Sequence, residues 1–250
     1  MHSSNVMPEA RPVVAFFDVD NTLMRGASIY HVGRGAYSRG YLRLRDLVRF
    51  AWQQARFIAV GENRRHLELV RERALSLARG HSAAEMRELA EAIFDKAIER
   101  RLWPETVGLT QDHLSKGHEV WLITATPIDI AAVIAERLGL TGAIGTMLET
   151  VDGCFTGRLV GHVLHGERKA VAAGELTSRL GANLQDCWAY SDSENDIPLL
   201  ELAGNRVVVN PDASLMRHAT QRGWSILKLN KSSIRAARRR VLREGKRVPR

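Results

Sequence analysis

The organisation of the chain turns on residues 13–23, Val13-Val14-Ala15-Phe16-Phe17-Asp18-Val19-Asp20-Asn21-Thr22-Leu23. Five apolar residues run into two carboxylates at i and i+2, the pattern of a buried strand that delivers acidic side chains from its C-terminal end. Taken alone, the stretch also fits a turn whose Asp residues cap a helix. The rest of the chain decides between the two. From Pro104 onward, helices are expected near Thr106–Lys116, Ile128–Leu138, Glu167–Leu180, Ile197–Ala203 and Ser214–Arg222. Strands are expected over Glu119–Ile123, Ile144–Glu149, Cys187–Tyr190, Arg206–Val209 and Ser225–Leu229, with a hairpin in Val151–Val163 around Asp152-Gly153. Strands alternating with helices imply an α/β fold: a doubly wound, Rossmann-like, mostly parallel sheet. Ligands bind such sheets at the C-terminal ends of the strands.

Between the first strand and Pro104 the chain changes character. Residues 27–101 are rich in Arg, Glu, Ala and Leu, with apolar positions at helical spacing: Leu67, Val70, Ala74 and Leu77, then Met86, Leu89 and Ile93. The expected organisation is a core of residues 1–26 plus 102–230, an inserted all-helical cap at 27–101, and a basic tail at 231–250. The insert leaves from the carboxylate-bearing strand end, so it is placed over whatever binds there.

Charge is distributed unevenly. The formal net charge is +8, and residues 231–250 carry nine Lys/Arg against one Glu. The other 230 residues hold 27 basic and 27 acidic side chains, so the body is neutral. If the tail is helical, with Ser232 or Ser233 as N-cap, Ile234, Ala237, Val241 and Leu242 share a face and Arg235, Arg238, Arg239 and Arg243 fill much of the rest. An interfacial helix on anionic membrane or polyanion and a solvated, partly disordered tail are both open. Two cysteines, Cys154 and Cys187, exclude a disulfide framework and read as packing residues in a reducing, cytoplasmic setting. The N-terminus lacks a secretory pattern, and no apolar run is long enough to span a bilayer. Oligomeric state leaves no mark in the sequence.

Three further groups fall at strand ends. Thr124 follows strand Glu119–Ile123 and precedes a helix, so its hydroxyl and neighbouring N–H groups suit an anion. Lys169 stands in the first turn of a helix, where the dipole disfavours a cation. Ala189-Tyr190-Ser191-Asp192-Ser193-Glu194-Asn195-Asp196 repeats the motif of carboxylates after a strand. Singly, these are also what helix caps and a solvated lysine look like. Together, four strand ends present Asp-x-Asp, Thr, Lys and Asp-x-x-x-Asp. Carboxylate oxygens suit Mg²⁺, and a hydroxyl, amides and one Lys suit a phosphoryl group. That is equipment for phosphoryl transfer to a carboxylate.

In these motifs the chain resembles the haloacid dehalogenase superfamily, and within it the phosphoserine-phosphatase-like branch (subfamily IB) with a helical cap after the first motif. Asp18–Leu23 matches the first motif, with Thr22 a supporting residue; Thr124 matches the second, Lys169 the third, and Asp192 with Asp196 the fourth. Asp152-Gly153-Cys154-Phe155-Thr156-Gly157-Arg158 resembles the segment that this branch carries before its lysine. The resemblance implies a Mg²⁺-dependent phosphatase acting on a small organic phosphomonoester. Asp18 would be the nucleophile and Asp20 the acid and base. Mg²⁺ would be held by Asp18, the Asp20 carbonyl and Asp192. Thr124, Ala125, Lys169 and Asn195 would bind phosphate or substrate, and Asp196 would orient Lys169 or a metal-bound water.

Two departures concern the substrate. Met24-Arg25-Gly26-Ala27-Ser28-Ile29 holds no carboxylate where phosphoserine phosphatases usually keep a Glu for the substrate ammonium. Thr124-Ala125-Thr126 replaces their Ser-Gly-Gly. An unspecified small organic phosphate therefore ranks first, phosphoserine second and a lysophospholipid-type phosphate third, the last with the tail on a membrane. Cap residues Arg34, Arg39, Arg43, Arg45, Arg49 and Arg56 read mainly as solvated, and Tyr30, Tyr41, Phe50, Trp52 and Phe57 mainly as the cap's own core. Gly161–Gly166 has P-loop glycine spacing, but Glu167-Arg168 follows in place of Lys-Ser/Thr. His31, His66, His81, His113, His118, His162, His165 and His218 read as scattered surface residues.

Overall fold

A computed structural model describes residues 11–41 and 78–245. Strand β1 (Val14–Phe17) lies at the centre of a six-stranded parallel sheet. On one side stand β2 (Glu119–Pro127) and then β3 (Gly142–Thr146); on the other stand β6 (Trp188–Ser191), β7 (Asn205–Val209) and β8 (Ser225–Leu227). Every pairing is parallel. Successive side chains of β1 enter opposite layers, as the two-residue period requires. Ala15 and Phe17 join a core with Ile130, Val133 and Ile134, whereas Val14 and Phe16 join one with Ala173, Leu176, Leu199 and Leu215. Burying Phe16 and Phe17 contributes about 2–3 kcal/mol each.

Helix α3 (Pro104–Ser115) and α4 (Ile128–Arg137) cover the first face. Helices α5 (Glu167–Leu180), α6 (Ile197–Leu202) and α7 (Ala213–Gln221) cover the second. The doubly wound expectation holds, and the strand order reverses between β1 and β6. Such a switch point opens a crevice at the strand ends.

Four local details differ from expectation. Strand β2 continues to Pro127, with a register irregularity between Ile123 and Pro127, so Thr124 lies inside the strand and caps no helix. The single strand expected over Ile144–Glu149 is two. β3 ends at Thr146, whose hydroxyl donates to the Ala125 carbonyl, and β4 (Leu148–Val151) pairs antiparallel with β5 (Cys154–Leu159) in a separate hairpin. Cys154 is exposed on that hairpin, and only Cys187 is buried. His31 and His113 are buried rather than on the surface.

Within residues 27–101 the described elements are α1 (Ser28–Ser38), α2 (Ala83–Ile93) and short helical turns to Arg101. A capping box starts α2: Ser82 Oγ accepts from Glu85 N, and Glu85 Oε2 accepts from Ser82 N. Gly35 lets α1 approach α2 closely, since a Cβ there would stand 2.7 Å from Ile93. The chain entering the insert runs beside the chain leaving it: Met24 bridges Leu102, and Arg25 N donates to Arg101 O at 2.8 Å. Tyr30 is 64% exposed and does not join a cap core, whereas Tyr41 packs against the main core. The helix expected at Leu67–Leu77, together with Arg43, Arg45, Arg49, Phe50, Trp52, Arg56 and Phe57, lies outside the described residues.

The C-terminal segment forms α8 (Lys231–Gly245), which packs against α3 and the turn at Glu99–Arg101. Its cap is Asn230, whose Oδ1 accepts from Ser232 N, not Ser232 or Ser233. Ile234 is buried, while Lys231, Arg235 and Arg239 are exposed. Among the described residues no helix is long and apolar enough to cross a membrane.

Candidate active site

Three segments that are remote in sequence meet at the end of β1. Asp18 follows the last residue of β1, and its N–H donates to Tyr190 O, which ties it to β6. Gly166 adopts φ 59° and lets the chain enter α5, placing Lys169 in the first turn. Beyond β6, Ser193 caps a short helical turn through Asn195 N, which turns Asp196 inward. The Lys169 ammonium donates to Asp18 Oδ1 at 2.6 Å and to Asp196 Oδ2 at 2.7 Å. All three are nearly inaccessible, at 3% for Lys169, 5% for Asp18 and 2% for Asp196. A solvated lysine is excluded. Ser191 Oγ adds a 2.7 Å hydrogen bond to Asp196 Oδ2.

Asp192 stands beside this ion triad. Thr22 Oγ1 donates to Asp192 Oδ1 at 3.5 Å, and Asn21, held at φ 57°, stands beside its carboxylate. Asp212 braces the same loop from behind, with its N–H donating to Asp192 O and its Oδ2 accepting from Glu194 N. On the insert side, Asp20 Oδ1 accepts from Ser28 N at 2.8 Å. Thr124 is buried, the Ala125 carbonyl is held by Thr146, and exposed Asn195 hydrogen-bonds Ser193. The structure thus gathers Asp18, Lys169, Asp196 and Ser191 in direct contact, with Thr22 against Asp192. It shows no direct bond from Thr124, Ala125 or Asn195 to that cluster.

Ser28, Thr126, Ser191 and Asp212 were not singled out from the sequence. Ser28 lies in the carboxylate-free stretch Met24–Ile29, and its hydroxyl carries no signal until its partner 98 residues away is known.

Electrostatics set the site's appetite. Burial raises Asp18 to about 7 and outweighs the opposing Lys169 charge, while Asp196 and Asp192 push the same way. Burial likewise lifts Asp192 to about 6, with neighbouring Asn21 working against the rise. Asp20 is raised by burial, and its hydrogen bonds to Ser28 work against the rise. For Lys169, burial opposes the charge, but Asp18 and Asp196 override it and hold the ammonium protonated. One lysine cannot balance four carboxylates, so the cluster lacks positive charge. Among the described residues no three His, Cys, Asp or Glu side chains form a ready metal cage. An oxygen set of two carboxylates and a backbone carbonyl nevertheless fits Mg²⁺, which retains several waters and takes few protein groups.

The sequence profile of haloacid dehalogenase-like hydrolases matches residues 15–201, a span that includes every one of these residues except Asp212. Phosphoserine phosphatase SerB1 of Mycobacterium tuberculosis (strain ATCC 25618 / H37Rv) is 53% identical over 213 residues, covering 85% of this chain and 69% of that protein. Histidinol-phosphatase of Neisseria meningitidis serogroup C (strain 8013) is 31% identical over 219 residues, covering 86% and 97%. A protein of unknown function from Bordetella pertussis Tohama I has a solved structure that superposes with TM-score 0.76 at 29% identity, covering 87% of this chain and 98% of that one. The chain belongs to the haloacid dehalogenase-like hydrolases, as a phosphatase of phosphoric monoesters.

Proposed function

We propose that this chain hydrolyses a small organic phosphomonoester through a phospho-aspartate on Asp18. The observation that carries the reading is the buried Lys169 ammonium clamped between Asp18 and Asp196 at the switch point. It fixes Asp18 Oδ1 and leaves the other oxygen for phosphorus. As the Asp18–phosphorus bond forms, the ester P–O bond breaks, and Asp20 gives its proton to the departing oxygen. Water then attacks phosphorus and loses a proton to Asp20. The Asp18–phosphorus bond breaks, inorganic phosphate leaves, and both aspartates return to their starting states. Asp18, the Asp20 carbonyl and Asp192 would hold Mg²⁺, which when bound supplies charge neutralisation between carboxylate and phosphate. Thr124, Ala125 and Asn195 would border the phosphoryl oxygens. The insert at 27–101 would act as a cap on the core of 1–26 plus 102–230, excluding water during transfer.

The names of the relatives put phosphoserine and histidinol phosphate in any first assay. The first turn of α1, which abuts Asp20, contains no acidic residue. Its helix dipole places positive potential there, which disfavours an ammonium. An ester without an ammonium group is therefore the preferred substrate. A panel of phosphoserine, histidinol phosphate, sugar, glycerol and lysophospholipid phosphates, compared by kcat/KM, tests this. Superior turnover of phosphoserine would overturn the preference but not the chemistry; Mg²⁺-independent turnover that survives Asp18→Asn would overturn the chemistry. Ile234 of α8 is turned into the body, which takes it away from a membrane-facing stripe and weighs against the lysophospholipid reading.

A further inference from the structure

Around Asp20 the structure carries a feature that phosphoryl chemistry does not itself require. Ser28, the first residue of α1, is fully buried, as are Thr124 and Thr126 at the end of β2. Ser28 Oγ and Thr126 Oγ1 lie 2.7 Å apart. Thr126 Oγ1 accepts from Thr124 Oγ1 at 3.1 Å, and Thr126 N donates to Thr124 Oγ1 at 3.2 Å. Thr126 Oγ1 is thus held from both sides, and either hydroxyl of the Ser28–Thr126 pair can be the donor. The Asp20 carboxylate accepts from Ser28 N at 2.8 Å. A row of hydroxyls therefore runs from the core strand β2 to the first residue of the insert, whose backbone N–H holds the Asp20 carboxylate.

Hydroxyl–hydroxyl bonds of this length hold one geometry only while both partners stay seated. We infer that the Ser28–Thr126 pair is a latch: it seats the first turn of α1 on the end of β2 and thereby orients Asp20 toward the leaving oxygen. Ser28 and Thr126 are positioning residues that act through Asp20, and the inference rests on the acid role proposed for Asp20. It predicts that α1 presents Asp20 correctly only when docked on β2, so the insert's first helix and the acid step are coupled.

The test exploits the fact that an acid matters in proportion to how poorly the leaving group departs. An aryl phosphate such as p-nitrophenyl phosphate leaves as a stable anion; an alkyl phosphate such as glycerol phosphate needs a proton. The reading is the ratio of kcat/KM for alkyl over aryl ester, because kcat/KM reports steps up to departure of the leaving group and excludes hydrolysis of the intermediate. Ser28→Ala and Thr126→Val should each lower that ratio at least about tenfold, part of the 10²–10⁴ typical of general acid catalysis. The double variant should lower it no further than the worse single one, since both remove the same bond. Thr126→Ser, which keeps the hydroxyl, should stay within about twofold of the wild-type ratio.

A structural lesion without a positioning role would depress both esters alike and leave the ratio unchanged; that result, with thermal unfolding near wild type, overturns the latch. Asp20→Asn supplies the reference. If its ratio collapses while that of Ser28→Ala does not, only the latch fails. If the Asp20→Asn ratio is itself unchanged, the acid assignment fails and takes the latch with it.

Discussion

Two buried polar clusters share the β1–β6 seam, one on each face, and they solve the same problem in opposite ways. Adjacent residues of β6 feed them: the Tyr190 side chain points to one face and Ser191 to the other. Ser191 joins Asp18, Lys169 and Asp196, where ion pairs of 2.6 and 2.7 Å hold full charges away from water. Tyr190 joins His113, whose Nε2 lies 2.8 Å from the phenol oxygen and whose Nδ1 lies 2.8 Å from His118 Nδ1. Phe17 stacks on the Tyr190 ring at 4.1 Å. Burial lowers His113 to about 4, with His118 adding to the shift, and burial raises the Tyr190 phenol. The second cluster is therefore neutral and self-satisfied. The first has more carboxylates than cations. Buried charge left unbalanced marks chemistry; buried polarity that is neutral and paired marks structure.

The largest expected effect comes from Asp18→Asn. Loss of the nucleophile should lower kcat by at least about 10³. Removing one of several crowded carboxylates should leave the unfolding midpoint in denaturant unchanged or higher. A marked loss of stability would mean that the cluster is structural after all.

Lys169→Met comes next. It strands Asp18 and Asp196 without their shared cation, so stability should fall by about 3 kcal/mol and activity should vanish. Partial recovery of stability as the pH falls would follow from protonation of Asp18, whose carboxyl burial already pushes up. A midpoint unmoved by this substitution would refute the contrast drawn between the clusters.

The neutral cluster should respond to pH in its own way. His113 stays neutral in the fold to about 4, whereas an unfolded histidine takes up a proton near 6.5. Its contribution is thus fully present above pH 6.5 and lost as the pH falls through 4. His113→Gln keeps a partner for Tyr190 and does not titrate, so it should flatten that stretch of the stability profile by up to about 2 kcal/mol after allowance for solvent screening. Denaturant midpoints between those pH values, taken for both proteins, check the sign. An unchanged slope would mean that other groups carry the acid limb.

Tyr190→Phe should have the smallest effect. One hydrogen bond to His113 is lost while the stack on Phe17 survives, costing about 1 kcal/mol. Its kcat/KM should be that of the wild type, because the phenol faces away from Asp18.

Legibility followed range. Helix Glu167–Leu180 has the expected bounds, since an apolar stripe at helical spacing and Gly181 in the left-handed conformation mark it locally. The expected strand stops at Ile123, four residues short of the end of β2, because Thr124-Ala125-Thr126-Pro127 lacks a strand pattern, and the pairing to β3 resumes only at Pro127. His31 and His113 depart from the expected surface placement for the same reason. His113 resembles any polar residue on a helix until Tyr190, 77 positions away, is found beneath it.

What the amino-acid sequence determined by itself is the alternation of strands and helices and the order of the four motifs, because side-chain periodicity and strand-end carboxylates are local properties. Which charge meets which, and through what intermediary, was decided by the tertiary structure. Lys169 reaches Asp18 across 151 positions, and Ser28 reaches Thr126 across 98. Those meetings depend on β1 lying between β2 and β6. That strand order is settled by packing two apolar layers against one sheet, and no short window of sequence encodes it.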